Sequence, residues 1–159
     1  MEQLARSVGA RLKAKKLMLA TAESCTGGWA AQEMTAIAGS SEWFERGFVT
    51  YSNEAKQEML GVQTTTLEKH GAVSEETARE MALGAIARSK AHVALAVTGI
   101  AGPTGGSDAK PIGTVCFAWA RKDGAVRSET RRFPGDRGAV RRASVVHALE
   151  GVLKVLDER

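Results

Sequence analysis

The chain is poor in the residues that mark a specialised architecture. Cysteine occurs only at Cys25 and Cys116, too few for the disulfide framework of a small secreted domain. The three histidines, His70, His92 and His147, are far apart, and no Cys-x-x-Cys or His-x-x-x-His spacing gathers ligands. Neither a metal centre nor a cofactor is therefore expected. No apolar run approaches the roughly 18 residues of a membrane span, and no secretory apolar segment follows the charged start. A reducing cytoplasm with no membrane partner is the expected setting. Aromatics are scarce as well: only Trp29, Trp43, Phe44, Phe48, Tyr51, Phe117, Trp119 and Phe133. A nucleic-acid groove usually needs a broad basic face interleaved with stacking rings, so no nucleic-acid partner is expected.

What remains is an ordinary globular balance, 43% hydrophobic and 25% charged over 159 residues. No linker, repeat or low-complexity stretch divides the chain, which reads as one domain over 1–159. The formal net charge is +4, but much of the surplus is local. Arg131, Arg132, Arg137, Arg141 and Arg142 lie within twelve positions. Such clustering fits either a solvated helix face or a small anionic ligand.

Periodicity predicts helices over about 2–15, 29–38, 54–60, 75–90 and 136–157, with Ser52-Asn53, Ser74 and Asp136 as N-caps. Strands are predicted over 17–22, 47–51, 92–98, 112–120 and 125–133. The first shows no polar alternation, which suits a strand covered on both faces. Asp123-Gly124 marks a hairpin and hence an antiparallel pair, whereas helix-connected strands favour parallel pairing. The fold class is therefore α/β, a three-layer αβα sandwich with a mixed, mostly parallel sheet.

Two Gly-containing segments carry the chemical signal. Thr21-Ala-Glu-Ser-Cys-Thr-Gly-Gly28 puts Ser24 at a strand-to-helix turn. There Ser24 can serve as a cap, or it can attack a carbonyl while the amides of Thr26, Gly27 and Gly28 face the developing oxyanion. Cys25 is a rival nucleophile, because a helix N-terminus lowers a thiol pKa. Lys56 falls in the first turn of the 54–60 helix, where a cation opposes the helix dipole. It is either a surface lysine or a base for Ser24, with Tyr51 relaying a proton or orienting the pair and His70 a weaker alternative. The second segment, Gly99-Ile-Ala-Gly-Pro-Thr-Gly-Gly106, is neither a Walker A nor a dinucleotide fingerprint. It is a plain turn or a loop whose Gly99 and Gly102 let the backbone approach an anion, with Arg141 or Arg142 reaching a phosphate.

Four segments in order, Ala22–Gly28, Trp43–Lys56, Gly71–Ser74 and Thr98–Pro103, resemble the CinA C-terminal family over nearly the whole chain. The likeness is greatest to its stand-alone bacterial nicotinamide-nucleotide amidohydrolases. That resemblance implies metal-independent hydrolysis of nicotinamide mononucleotide to nicotinate mononucleotide and ammonia, with the serine and lysine corresponding here to Ser24 and Lys56. It also implies a small phosphorylated nucleotide as substrate and a homodimer. Larger family members carry an N-terminal molybdopterin-binding-like domain with no counterpart in these residues, and functions of that domain are not expected here. A nucleotide-binding module without catalysis and a Cys25-dependent amidase are the competing readings.

Overall fold

The computed structural model describes residues 1–158. In chain order they form α1 (Glu2–Lys15), β1 (Leu19–Glu23), α2 (Trp29–Thr35), β2 (Phe44–Val49), α3 (Asn53–Leu60), α4 (Thr64–His70), α5 (Glu75–Ala87), β3 (Val93–Gly99), β4 (Thr114–Arg121), β5 (Val126–Arg132) and α6 (Arg137–Asp157). The sheet order is β2-β1-β3-β4-β5. β1 is parallel to both β2 and β3, and β4 is antiparallel to both β3 and β5. Four strands thus run one way and β4 alone runs against them.

The two faces of the sheet have different side-chain volumes. Leu19, Val93, Leu95, Val97, Phe117 and Trp119 share one core with buried residues of α1, α2 and α6. Ala20, Ala22, Ala94, Ala96, Ala118 and Ala120 face the other way and share a second core with Ala78, Met81, Ala82 and Ala85 of α5 and Leu60 of α3. Strand alternation produces this split. Where both the strand and the helix contribute alanine, the two backbones approach closely, and α5 packs across β1, β3, β4 and β5. The result is the expected three-layer αβα sandwich.

Local signals set most boundaries. The Ser52, Ser74 and Asp136 side chains accept from the amides of Ala55, Thr77 and Ala139, capping α3, α5 and α6. Several ends shift by two or three residues, and two elements depart further from expectation. β2 begins at Phe44 and ends at Val49, because this edge strand carries the exposed Arg46 with Glu45 beside it rather than an apolar run. α4 falls where no helix is predicted, since Thr64-Thr65-Thr66 is poor helix sequence. Contacts to α5 hold it: Glu80 accepts from the amide of Gln63 and the hydroxyl of Thr66.

Candidate active site

The C-terminal ends of the three parallel strands converge at one edge, where open α/β sheets hold their ligands. Ser24 follows the last residue of β1, Thr50 and Tyr51 follow β2, and Gly99 closes β3. Ser24, Tyr51 and Gly99, together with Lys56 and Arg137, line a cavity of ≈ 170 Å³. A larger groove of ≈ 470 Å³ lies on the other side of Val73, which lines both. It contains no comparable hydroxyl–amine pair.

Lys56 is 2% exposed and makes three contacts, each of 3.1 Å. Its ammonium donates to Ser24 Oγ, to the carbonyl of Thr50 and to the carbonyl of Tyr51. No carboxylate pairs with it among the described residues. Burial therefore holds Lys56 below the ordinary lysine value, opposed only by the nearby Cys25 thiol. The Ser52-capped start of α3 delivers the side chain: N-capping fixes the helix, and position 56 points back across the end of β1. A neutral amine in this place keeps its two N–H groups on the two carbonyls, which leaves its lone pair for Ser24 Oγ.

Cys25 is also buried and lines the cavity, but desolvation pushes its thiol up to about 11, against smaller opposing effects that include the Arg141 charge. A helix N-terminus does not rescue it. α2 starts only at Trp29, and its leading amides at Ala30 and Ala31 donate to the Glu23 carboxylate, at 2.8 and 3.1 Å. Glu23 also accepts from the Thr26 hydroxyl at 2.6 Å and is completely buried. This role of Glu23 is not legible in the sequence, because a carboxylate seven residues before a helical amide is not a recognised capping spacing.

Between Glu23 and α2 the chain forms a tight turn. The amide of Gly27 donates to the carbonyl of Ser24, and that of Trp29 to the carbonyl of Thr26. Gly27 and Gly28 sit at φ 61° and 104°, conformations that glycine adopts without strain. The Ser24 amide is held by the carbonyl of Val97. Of the amides expected to face an oxyanion, Gly27 is thus already engaged, while those of Thr26 and Gly28 have no acceptor among the described residues.

The remaining predicted residues divide. Tyr51 meets Lys56 through its carbonyl, while the residue is 63% exposed and its hydroxyl accepts from Arg137 at 3.3 Å. Gly99 lines the cavity, and the carbonyl of Gly102 accepts from Arg137 at 2.8 Å. Arg141 does not line the cavity: its guanidinium donates to the carbonyls of Cys25 and Thr26 and lies 5.7 Å from the Trp29 ring. Arg142, one position on, is exposed. The arginine at the cavity is Arg137, a member of the cluster that no sequence signal singles out. His70 ends α4 and faces Glu76 at 3.4 Å, away from Ser24. Among the described residues no group of acidic, histidine or cysteine side chains could hold a metal ion, and no helix is long and apolar enough to cross a membrane.

Similar proteins extend over this entire arrangement. The nicotinamide-nucleotide amidohydrolase PncC of Escherichia coli K12 is 57% identical over 150 residues, covering 93% of this chain and 90% of its own. The protein of the same name from Pseudomonas putida is 51% identical, covering 98% and 96%. Among solved structures, the competence/damage inducible protein CihA of Agrobacterium tumefaciens superposes with a TM-score of 0.95 at 50% identity, covering 99% of this chain and 95% of that one. A CinA superfamily protein from Klebsiella pneumoniae superposes with a TM-score of 0.94 at 40% identity, covering 98% and 96%. The model of the CinA C-terminal domain matches residues 1–156, and the chain belongs to that family.

Proposed function

We propose that this protein hydrolyses the carboxamide of nicotinamide mononucleotide to nicotinate mononucleotide and ammonia, with Ser24 as nucleophile and Lys56 as its base. The chain is an amidohydrolase, as are its curated relatives at more than half identity. The observation that carries the serine–lysine reading is the 3.1 Å contact between a buried, carboxylate-free lysine and Ser24 Oγ at the end of β1. A lysine whose ammonium is disfavoured by burial is a base, and one with two of its hydrogens anchored on carbonyls is an aimed base.

In this reading Lys56, as the neutral amine, takes the Ser24 proton as Oγ attacks the carboxamide carbon. The carbonyl electron pair moves onto oxygen, and the unpaired amides beside Ser24 receive that charge. Collapse of the tetrahedral adduct breaks the C–N bond, and the departing nitrogen takes the proton from the Lys56 ammonium and leaves as ammonia. Lys56 then removes a proton from water as it attacks the acyl carbon. The second collapse returns that proton to Ser24 Oγ and releases the acid. No metal enters this scheme.

The substrate's phosphate falls to Arg137, the guanidinium on the cavity wall, with the backbone of Gly99–Gly102 beside it. Cys25 is disfavoured as nucleophile: with its thiol at about 11, only about one molecule in 10,000 carries the thiolate at pH 7. The same reading keeps the homodimer and the cytoplasmic setting. The deciding experiment incubates the purified chain with nicotinamide mononucleotide without added metal and measures ammonia and nicotinate mononucleotide. Stoichiometric release that disappears in Ser24→Ala is expected; equal release by Ser24→Ala defeats the serine mechanism.

A further inference from the structure

Arg141 is one of the two arginines that the sequence offers for a phosphate, yet its donors are turned the other way. Its Nε lies 3.0 Å from the carbonyl oxygen of Cys25, and a terminal nitrogen lies 3.1 Å from that of Thr26. The guanidinium is half-buried against Trp29, where ring and planar cation stack favourably. It is anchored by α6, 115 residues away in sequence, on the face of that helix that also carries Arg137 one turn earlier.

A trans peptide is planar, so its carbonyl and the following amide point in opposite directions. The one cis bond in the described chain is Gly102-Pro103; the peptides of the turn are trans. Fixing the carbonyl of Cys25 on Arg141 therefore turns the Thr26 amide to the opposite side, toward the end of the turn where Ser24 stands. Fixing the carbonyl of Thr26 does the same for the Gly27 amide, which is found on the carbonyl of Ser24. The Thr26 hydroxyl is tied to Glu23 from the other flank, and Thr26 is wholly buried. Its amide thus faces the Ser24 side in a dry setting with no acceptor of its own among the described residues. A buried donor left open is costly unless something else meets it.

We infer that Arg141 is a positioning residue, a guanidinium clamp on the carbonyl side of the Ser24 turn that aims the Thr26 amide as an oxyanion donor. It takes no part in holding the substrate's phosphate. The inference rests on the amidase reading above. The clamp acts through the backbone, so its loss lowers the rate of the chemical step and leaves ground-state binding in place.

The test compares wild type with Arg141→Met, which keeps the stem and removes the donors, and Arg141→Lys, which keeps one. Nicotinamide mononucleotide and the same compound without its phosphate, nicotinamide riboside, are the substrates. For Arg141→Met we expect kcat to fall by roughly 100-fold with KM nearly unchanged. kcat/KM should fall by the same factor for both substrates, with a smaller fall for Arg141→Lys and partial recovery of Arg141→Met in added guanidinium. A loss confined to the phosphorylated substrate, or one appearing in KM, overturns the inference and makes Arg141 a phosphate ligand. Hydrogen exchange of residues 24–28 gives an answer independent of turnover. Protection should drop in Arg141→Met, and unchanged protection also overturns the clamp. Should Arg141→Met fail to fold, Arg141→Lys carries both measurements. Failure of the amidase reading has a different signature: wild type that releases no ammonia, or Ser24→Ala that releases as much.

Discussion

Replacing Lys56 with methionine separates what this side chain does for catalysis from what it costs the fold. Methionine fills much of the same volume but removes the amine and its three contacts. General-base assistance is worth about 10²- to 10⁴-fold, so at 1.36 kcal/mol per decade the barrier should rise by about 3–5 kcal/mol. Stability responds to two opposing effects. The carbonyls of Thr50 and Tyr51 lose their common donor, costing about 1–3 kcal/mol each. Against that, a buried ammonium without a carboxylate partner no longer has to be desolvated, a relief of similar size. The melting temperature should therefore stay near wild type while turnover collapses. pH supplies a second signature. Burial lowers the folded-state pKa of Lys56 below the ordinary 10.5, so the unfolded chain binds the extra proton in the window between the lowered value and 10.5. Stability then rises with pH through that window, and below it the full cost of the buried ammonium is present. kcat/KM should climb with pH through the same lowered value as the amine form appears. Steady-state ammonia release and thermal melts, each from neutral to alkaline pH, measure both. Lys56→Met that keeps wild-type turnover across pH refutes the base assignment, and a variant that is inactive because it has melted shows that the lysine is structural.

Cys25→Ala should retain most of the wild-type rate, since a thiol at about 11 contributes almost no thiolate; loss of turnover comparable to that of Ser24→Ala would return the nucleophile to cysteine. Arg137→Gln should raise KM for a phosphorylated substrate by roughly tenfold or more while sparing kcat, because it removes a charged contact present in both ground and transition states; titration calorimetry showing unchanged affinity would reject it. Glu23→Gln leaves fewer acceptor sites for Thr26, Ala30 and Ala31 and removes the charge at the start of α2, so a loss of about 1–3 kcal/mol is expected. Read as roughly 2–4 °C of melting temperature per kcal/mol, that loss is measurable by calorimetry, and an unchanged midpoint would mean that the cap is dispensable.

Much of this arrangement is visible in the sequence where local chemistry decides it. Ser52 before Asn53, Gly61 after Leu60 and Asp136 before Arg137 mark helix ends because capping is a short-range effect. The Asp123-Gly124 hairpin likewise fixes the antiparallel pairing of β4 with β5. Ser24 and Lys56 are legible as a candidate nucleophile and its candidate base, and sheet topology supplies their meeting. The same limit explains the failures. α4 is invisible because Glu80 on another helix holds it. Glu23 looks like an ordinary strand-end carboxylate until α2 folds back onto it. The arginine cluster fits a small anion or a solvated helix face, but Arg137, Arg141 and Arg142 differ only in their angle around α6 and their distance from its start. Which of them reaches the cavity depends on how that helix is set against the sheet.

The alanine face of the sheet acts as a gauge. Leucine, valine, phenylalanine and tryptophan on the opposite face can trade volume among neighbours as a sequence drifts. Alanines at 20, 22, 94, 96, 118 and 120 have almost nothing to give up, and each added methyl must lift α5. That helix starts two residues after Val73, which forms part of the cavity wall. The thickness of a layer with no catalytic atom in it therefore bears on where one wall residue of the chamber stands, without altering Ser24 or Lys56.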